Sequence, residues 1–139
     1  EDKRLWSAWR KAVCDDKMTV RCGYWEIPGR PKVVLVDYTG YMDDKDAIYG
    51  ELWNDFGVDS LHGYGDYDDS MIFGYAVGKV IESFYNTNIK KGSNVVVQAH
   101  EWQSGGAALY VKKHLPAVGT IFTTHATSIG PRFPNNYKP

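Results

Sequence analysis

The sequence predicts an α/β fold of three layers, in which helices cover a mostly parallel sheet that has a hairpin at one edge. One basis is the strand–helix–strand order of residues 95–100, 103–114 and 117–125, because such a unit crosses over right-handed and sets its two strands in parallel. The other is a pair of strand-like segments at 19–27 and 32–38, joined by a Pro-Gly-Arg-Pro turn, which indicates an antiparallel hairpin. The unbroken apolar runs in 32–38 and 95–100 are typical of strands buried on both faces.

Amphipathic segments supply the helices of this fold. The clearest is 69–85, where apolar residues recur every three or four positions and where Asp68 or Asp69 is placed to cap the first turn. Shorter helices are predicted at 3–13, 46–56 and 103–114. The last of these begins with a Ser-Gly-Gly segment, whose glycines allow the backbone to approach a strand or a ligand closely. We expect the chain after residue 125 to be a loop and a frayed end.

Composition limits the class of protein. The chain has 139 residues, 43% of them hydrophobic and 24% charged, which suits one soluble domain with its own core. The formal net charge is −1, and lysine and arginine occur at most in adjacent pairs, which argues against a nucleic-acid-binding surface. No stretch approaches the roughly 18 apolar residues of a membrane span, and no signal peptide is visible. We therefore expect a cytoplasmic protein in which Cys14 and Cys22 are reduced thiols.

Polar side chains follow both strands of the β-α-β unit. His100, Glu101 and Trp102 come after the first strand, and Thr124 and His125 close the second. Ligands of open parallel sheets bind beyond the carboxyl ends of the strands, so this is where a site is expected. Histidine, glutamate and threonine can hydrogen-bond the hydroxyls of a polar ligand, and an acid beside an aromatic ring suits a sugar. A structural histidine at a strand end is the alternative interpretation of His125.

Other chemistries leave weaker signals. His100, Glu101 and His125 could ligate a metal, yet a structural zinc site needs four protein ligands and a catalytic one three with a water. The acidic residues between 43 and 69 lack the spacing of a calcium loop. No G-x-S-x-G elbow and no phosphate-binding glycine loop occur. The aromatic residues, 14% of the chain, predict either ordinary packing or a stacking surface for sugars.

Two motifs at this predicted site resemble the glycogen synthases of animals and fungi and the related bacterial and archaeal enzymes. These are HEWQSG at 100–105 and TIFTTHAT at 120–127. Further segments that resemble the family, in the same order, are GYWEIPGRPKVVLVD (23–37), GELWNDFGVDS (50–60) and DDSMIFGYAVGKVI (68–81). The resemblance runs from about residue 11 to 130, and the combination of the two motifs at this spacing is specific.

The resemblance implies a retaining glycosyltransferase of the GT-B type, built from two Rossmann-like domains. Such an enzyme moves glucose from a nucleotide-diphosphate glucose to the non-reducing end of an α-1,4-glucan, with neither a metal nor another cofactor. It also implies that residues 1–139 form a single domain, a fragment of the N-terminal Rossmann-like domain without the second domain. UDP-glucose is favoured over ADP-glucose as the donor. Exposed core surface would let the fragment self-associate.

Two of the family's site residues map onto matching positions, and a third is displaced by one residue. His125 corresponds to the histidine that faces the donor sugar, and Glu101 to the acidic residue that lines the active site; these two are the predicted catalytic residues. The predicted residues for donor and acceptor binding are His100, Trp102, Thr124 and Arg132. The family's donor-contacting arginine falls at Pro131 here, with Arg132 one place later.

Half of the cleft would be missing from such a fragment, so we expect the isolated 139 residues to be inactive in glucan synthesis. Two alternatives stay open at this point. One is a non-catalytic carbohydrate-binding α/β module, and the other is a metal-dependent hydrolase centred on His100, Glu101 and His125.

Overall fold

The computed structural model describes residues 6, 7, 9, 16–63 and 65–125. Its strands and α-helices, in chain order, are β1 (Thr19–Tyr24), β2 (Lys32–Asp37), α1 (Lys45–Phe56), α2 (Asp66–Asn88), β3 (Val96–His100), α3 (Gly105–His114) and β4 (Gly119–Thr123). Two 3-10 helices, Thr39–Asp44 and Trp102–Ser104, precede α1 and α3. The first of them falls in a stretch that the sequence pattern leaves irregular.

The strands form two separate pairs. β1 and β2 are antiparallel, with Thr19 opposite Asp37, and β3 and β4 are parallel, with His100 opposite Thr123. The α/β class, the hairpin and the parallel β-α-β unit are therefore confirmed. The hairpin, expected at the edge of the same sheet, instead makes its own two-stranded sheet within the described residues. The reason is that β2 leads into a 3-10 helix, and apart from its pairing with β1 it packs against α2 rather than against β3 or β4.

Helix α2 packs closely against α3 and also contacts α1, β2 and both 3-10 helices. Gly74 and Gly78 make this approach possible: a Cβ on Gly74 would lie 2.8 Å from the backbone nitrogen of Ala107, and one on Gly78 would lie 2.4 Å from the ring of Tyr110. Two buried clusters flank the contact. One contains Tyr41, Ile48, Ile72 and Ala76, and the other contains Val111, Leu115 and Val118.

The start of α2 differs from the predicted one. The helix begins at Asp66, three residues before 69, and Gly65 precedes it with a φ of 57°. No side chain caps it, so the predicted capping role of Asp68 or Asp69 is wrong. The Asp68 carboxylate instead accepts a hydrogen bond of 2.5 Å from the phenol of Tyr49. The acidic residues of the first turn still interact favourably with the helix dipole.

Burial of the strands on both faces is also wrong for the described residues. The exposed fraction is 56% at Leu35 and 61% at Val96. At Val96 the cause is that α3 packs on one side of the β3–β4 pair, and the described residues provide no second cover. An apolar run predicts burial, but it does not say which segment provides it.

Some predictions fall on residues outside the described ranges. Of the helix predicted at 3–13, the structure describes Trp6, Ser7 and Trp9, which are helical; the Trp9 side chain is buried and its indole N–H donates to Ser83 (3.2 Å). Cys14 and the segment 126–139 lie outside. Cys22 is half-buried in β1.

Among the helices of the described part of the chain, none is long and apolar enough to cross a bilayer.

Candidate functional site

The parallel register of β3 and β4 brings the two predicted polar clusters together. His100 lies opposite Thr123, and the backbone N–H of Glu101 extends the ladder by donating to the Thr123 carbonyl at 2.8 Å. The residues that follow both strands therefore sit side by side at the carboxyl edge of the sheet. This juxtaposition is the one that the sequence predicts from strand order alone.

Glu101 has an unusual backbone conformation. Its φ of 63° and ψ of 165° lie in a region that is essentially restricted to glycine and that costs another residue about 1–3 kcal/mol. Ser104 stabilises this turn by two hydrogen bonds. Its hydroxyl donates to the His100 carbonyl (2.5 Å), and its backbone N–H donates to the Glu101 carbonyl (3.1 Å). Strain of this kind concentrates at binding and catalytic sites, where surrounding contacts hold it in place.

The strained turn directs the Glu101 side chain across to the second cluster. One carboxylate oxygen accepts the backbone N–H of His125 at 2.5 Å. A hydrogen bond from an amide to an ionised carboxylate is shorter and stronger than a neutral one. Glu101 therefore fixes the start of the segment that follows β4, and it ties the two clusters into one unit.

The two histidines of the site contact each other. His100 Nδ1 lies 3.3 Å from His125 Nε2, and the two rings are nearly parallel, at 8° with centroids 5.6 Å apart. A hydrogen bond between two ring nitrogens requires that one carries a proton and the other a lone pair. Both side chains are exposed, so this pair presents a donor and an acceptor to a ligand at the strand ends.

The other predicted residues have different positions. Trp102 follows Glu101 with 48% of its surface exposed, and Thr124 is exposed beside His125. Arg132 lies outside the described residues. The sequence interpretation missed Gln98, whose side-chain amide donates to the hydroxyl of Thr123 at 2.9 Å. Its position two residues before His100, on the same face of β3, was the available signal.

Support for a metal centre is absent from the described ranges. Within them, no group of three or more histidine, cysteine, aspartate or glutamate side chains is arranged to hold a metal ion. One carboxylate oxygen of Glu101 is already engaged by a backbone N–H. The metal-dependent hydrolase alternative therefore gains no geometric support at these residues.

These elements, a parallel β-α-β unit with polar side chains at the ends of both strands, define an α/β protein. Comparison with known proteins identifies the family. The glycogen synthase family model matches residues 2–135. The chain belongs to the glycogen synthase family.

Individual relatives agree with this assignment. The chain is 38% identical over 112 residues to the liver glycogen [starch] synthase of Homo sapiens and 34% identical over 111 residues to that of Rattus norvegicus. Each match covers 80% of this chain and 16% of the relative. The glycogen [starch] synthase of Neurospora crassa is 33% identical over 123 residues, which cover 86% of this chain and 17% of the relative. The chain thus spans about one sixth of the length of these relatives.

Proposed function

We propose that this chain forms one wall of the active site of a glycogen synthase. The reaction is transfer of glucose, with retention of configuration, from a nucleotide-diphosphate glucose to the non-reducing end of an α-1,4-glucan. Membership of the family supports the reaction class. The observation that carries the site is the hydrogen bond from the His125 backbone to the Glu101 carboxylate, made from a backbone conformation that glutamate rarely adopts.

The chemistry needs three things from the protein, and the strand-end clusters supply two of them. The sugar must be held by its hydroxyls, for which the exposed imidazole of His125 is suited. Positive charge develops at the sugar ring in the transition state, and the Glu101 carboxylate is an anion at the same edge. Negative charge also develops on the departing diphosphate, and neither cluster, residues 98–102 or 123–125, contains lysine or arginine.

Cations for the diphosphate must therefore come from outside these two clusters. Arg132 is proposed for this role from its place in the family resemblance, and further cations are proposed from the part of the family fold that these residues do not span. For this reason we keep the expectation that residues 1–139 alone do not extend glucan. His100, Trp102 and Thr124 are proposed to contact donor or acceptor, and UDP-glucose is proposed as the donor.

The test uses the full-length product of the gene that encodes this chain. His125→Asn is expected to lower kcat for glucan extension by about 10²–10³-fold, the usual cost of removing one group that stabilises developing charge. His114→Gln, at the exposed end of α3, is the matched control and is expected to leave kcat unchanged. Parallel assays with UDP-glucose and ADP-glucose test the donor.

Two results would contradict the proposal. One is glucan extension by His125→Asn within a few fold of the unmodified protein. The other is glucan binding without transfer from either donor, which would favour the non-catalytic carbohydrate-binding module.

A further inference from the structure

The Ser104 hydroxyl stands at the start of α3 but does not cap that helix. A serine at this position usually accepts a hydrogen bond from a backbone N–H of the first helical turn. Here the hydroxyl points back along the chain and shares its proton between two carbonyl oxygens, that of His100 at 2.5 Å and that of Glu101 at 3.2 Å. The hydroxyl therefore stabilises the turn that follows β3 and not the helix.

We propose that Ser104 is a positioning residue for glucose transfer, because its hydroxyl holds the Glu101 carboxylate where it binds the His125 backbone. This inference rests on the proposed function, in which Glu101 and His125 form part of the active site. Ser104 acts through Glu101 and is not proposed to contact either sugar.

The two carbonyls that Ser104 binds belong to the peptide planes on either side of the Glu101 Cα. The His100 carbonyl lies in the plane before this atom, and the Glu101 carbonyl lies in the plane after it. Since φ and ψ of Glu101 are the rotations of these two planes, a group bonded to both carbonyls restrains both angles. The observed angles, 63° and 165°, are unfavourable for glutamate, so surrounding contacts must hold them.

Backbone hydrogen bonds hold the same two planes one at a time. The Glu101 N–H donates to the Thr123 carbonyl at 2.8 Å, which ties the first plane to β4. The Ser104 N–H donates to the Glu101 carbonyl at 3.1 Å, which ties the second plane to the start of α3. The hydroxyl links the two planes to each other. Without it, Glu101 is expected to relax while the β3–β4 ladder and α3 stay in place.

Relaxation of Glu101 would move its side chain relative to β4. The carboxylate accepts the His125 N–H at 2.5 Å, so a change in φ or ψ at Glu101 lengthens or breaks this bond. A displacement of about 1 Å can cost about 10²-fold in rate when it misplaces a group at the reacting centre. Loss of the hydroxyl should therefore lower kcat without removing a contact to the substrates.

Kinetics of the full-length gene product test this role. Ser104→Ala is expected to lower kcat for glucan extension by about 10–10²-fold and to leave the KM for glycogen unchanged. Ser104→Thr keeps the hydroxyl and is expected to keep kcat within a few fold of the unmodified protein. Ser70→Ala is the matched control and is expected to leave kcat unchanged. The Ser70 hydroxyl also donates to the carbonyl four residues earlier, that of Asp66 at 2.6 Å, but it lies within α2.

Hydrogen–deuterium exchange provides a readout that does not depend on transfer. We expect Ser104→Ala to speed amide exchange in residues 123–125, where the His125 N–H loses its acceptor, and to leave exchange in 105–114 unchanged, because the hydroxyl does not cap α3. Unchanged exchange in 123–125 would overturn the inference. Faster exchange throughout 105–114 would also overturn it, since the hydroxyl would then support the helix.

Combination with Glu101→Gln separates positioning from general stabilisation. Because Ser104 acts through Glu101, Ser104→Ala is expected to lower kcat no further in the Glu101→Gln protein. An equal fold-loss in both backgrounds would overturn the inference, as would a kcat of Ser104→Ala equal to that of Ser70→Ala while Glu101→Gln is impaired. An unchanged kcat in Glu101→Gln would instead contradict the proposed function, so the two failures are distinguishable.

Discussion

Replacing Glu101 by glycine and by alanine separates the cost of its backbone conformation from the contribution of its carboxylate. Both variants lose the hydrogen bond to the His125 N–H, a bond near the surface that contributes about 1 kcal/mol. Alanine keeps the strain of a φ of 63° and a ψ of 165°, about 1–3 kcal/mol, whereas glycine relieves it. Glycine in turn loses about 0.5–1 kcal/mol more conformational entropy on folding. The net expectation is that Glu101→Gly is about 1 kcal/mol more stable than Glu101→Ala.

Urea denaturation of the 139-residue chain, followed by far-ultraviolet circular dichroism, measures the difference. A change of 1 kcal/mol moves the midpoint by about 0.5 M urea for a chain of this size. Glu51 on α1 provides the matched control, because in a helix the order reverses and Glu51→Gly is expected to be about 1 kcal/mol less stable than Glu51→Ala.

Stability of Glu101→Ala equal to or above that of Glu101→Gly, while the Glu51 pair behaves as expected, would contradict strain in the backbone at Glu101. The backbone at Glu101 would then carry no strain, and the proposal that its carboxylate is held for function would lose its main support.

Two further predictions concern the contact between α2 and α3. Gly78→Ala is expected to lower the free energy of unfolding by about 1–3 kcal/mol, because the added Cβ would overlap the ring of Tyr110. Gly50 has open space around it, so Gly50→Ala is expected to raise the free energy of unfolding by about 0.5–1 kcal/mol. Equal effects in urea denaturation would contradict the close packing. Burial and a 2.7 Å hydrogen bond to Glu82 raise the pKa of Tyr110, so the folded chain holds this proton more tightly than the unfolded chain does. Stability is therefore expected to fall as the pH rises above the ordinary tyrosine pKa of 10.0, and less steeply in Tyr110→Phe; identical pH profiles of the two proteins would refute this.

Local sequence patterns predicted the elements that position the site. The β-α-β unit follows from two apolar runs around an amphipathic helix, and the parallel register then brings His100 and Thr123 opposite each other. The hairpin follows equally from its turn residues. These features could be predicted because period, turn chemistry and chain order determine them within a few dozen residues.

The features that were missed depend on contacts between distant segments. The predicted start of α2 was three residues too late, because the Asp68 carboxylate accepts a hydrogen bond from Tyr49 on α1 instead of capping α2. Burial of the strands depends on which segments cover them, and an apolar run does not identify those segments. Glu101 gives no local signal either, since a glutamate stands where backbone geometry favours glycine. Its conformation becomes understandable only with the His125 N–H in place.

We propose that Glu101 and His125 act as a unit in glucose transfer, and a double-mutant cycle measures their coupling directly. The full-length gene product and its Glu101→Gln, His125→Asn and doubly substituted forms would be assayed for transfer of labelled glucose from UDP-glucose to a maltooligosaccharide primer. We expect each single change to cost about 10²-fold or more in kcat and the double change to cost about as much as the worse single one, as for groups that act together. Transfer by the double variant within about tenfold of the unmodified protein, or losses that multiply as for independent sites, would contradict the claim.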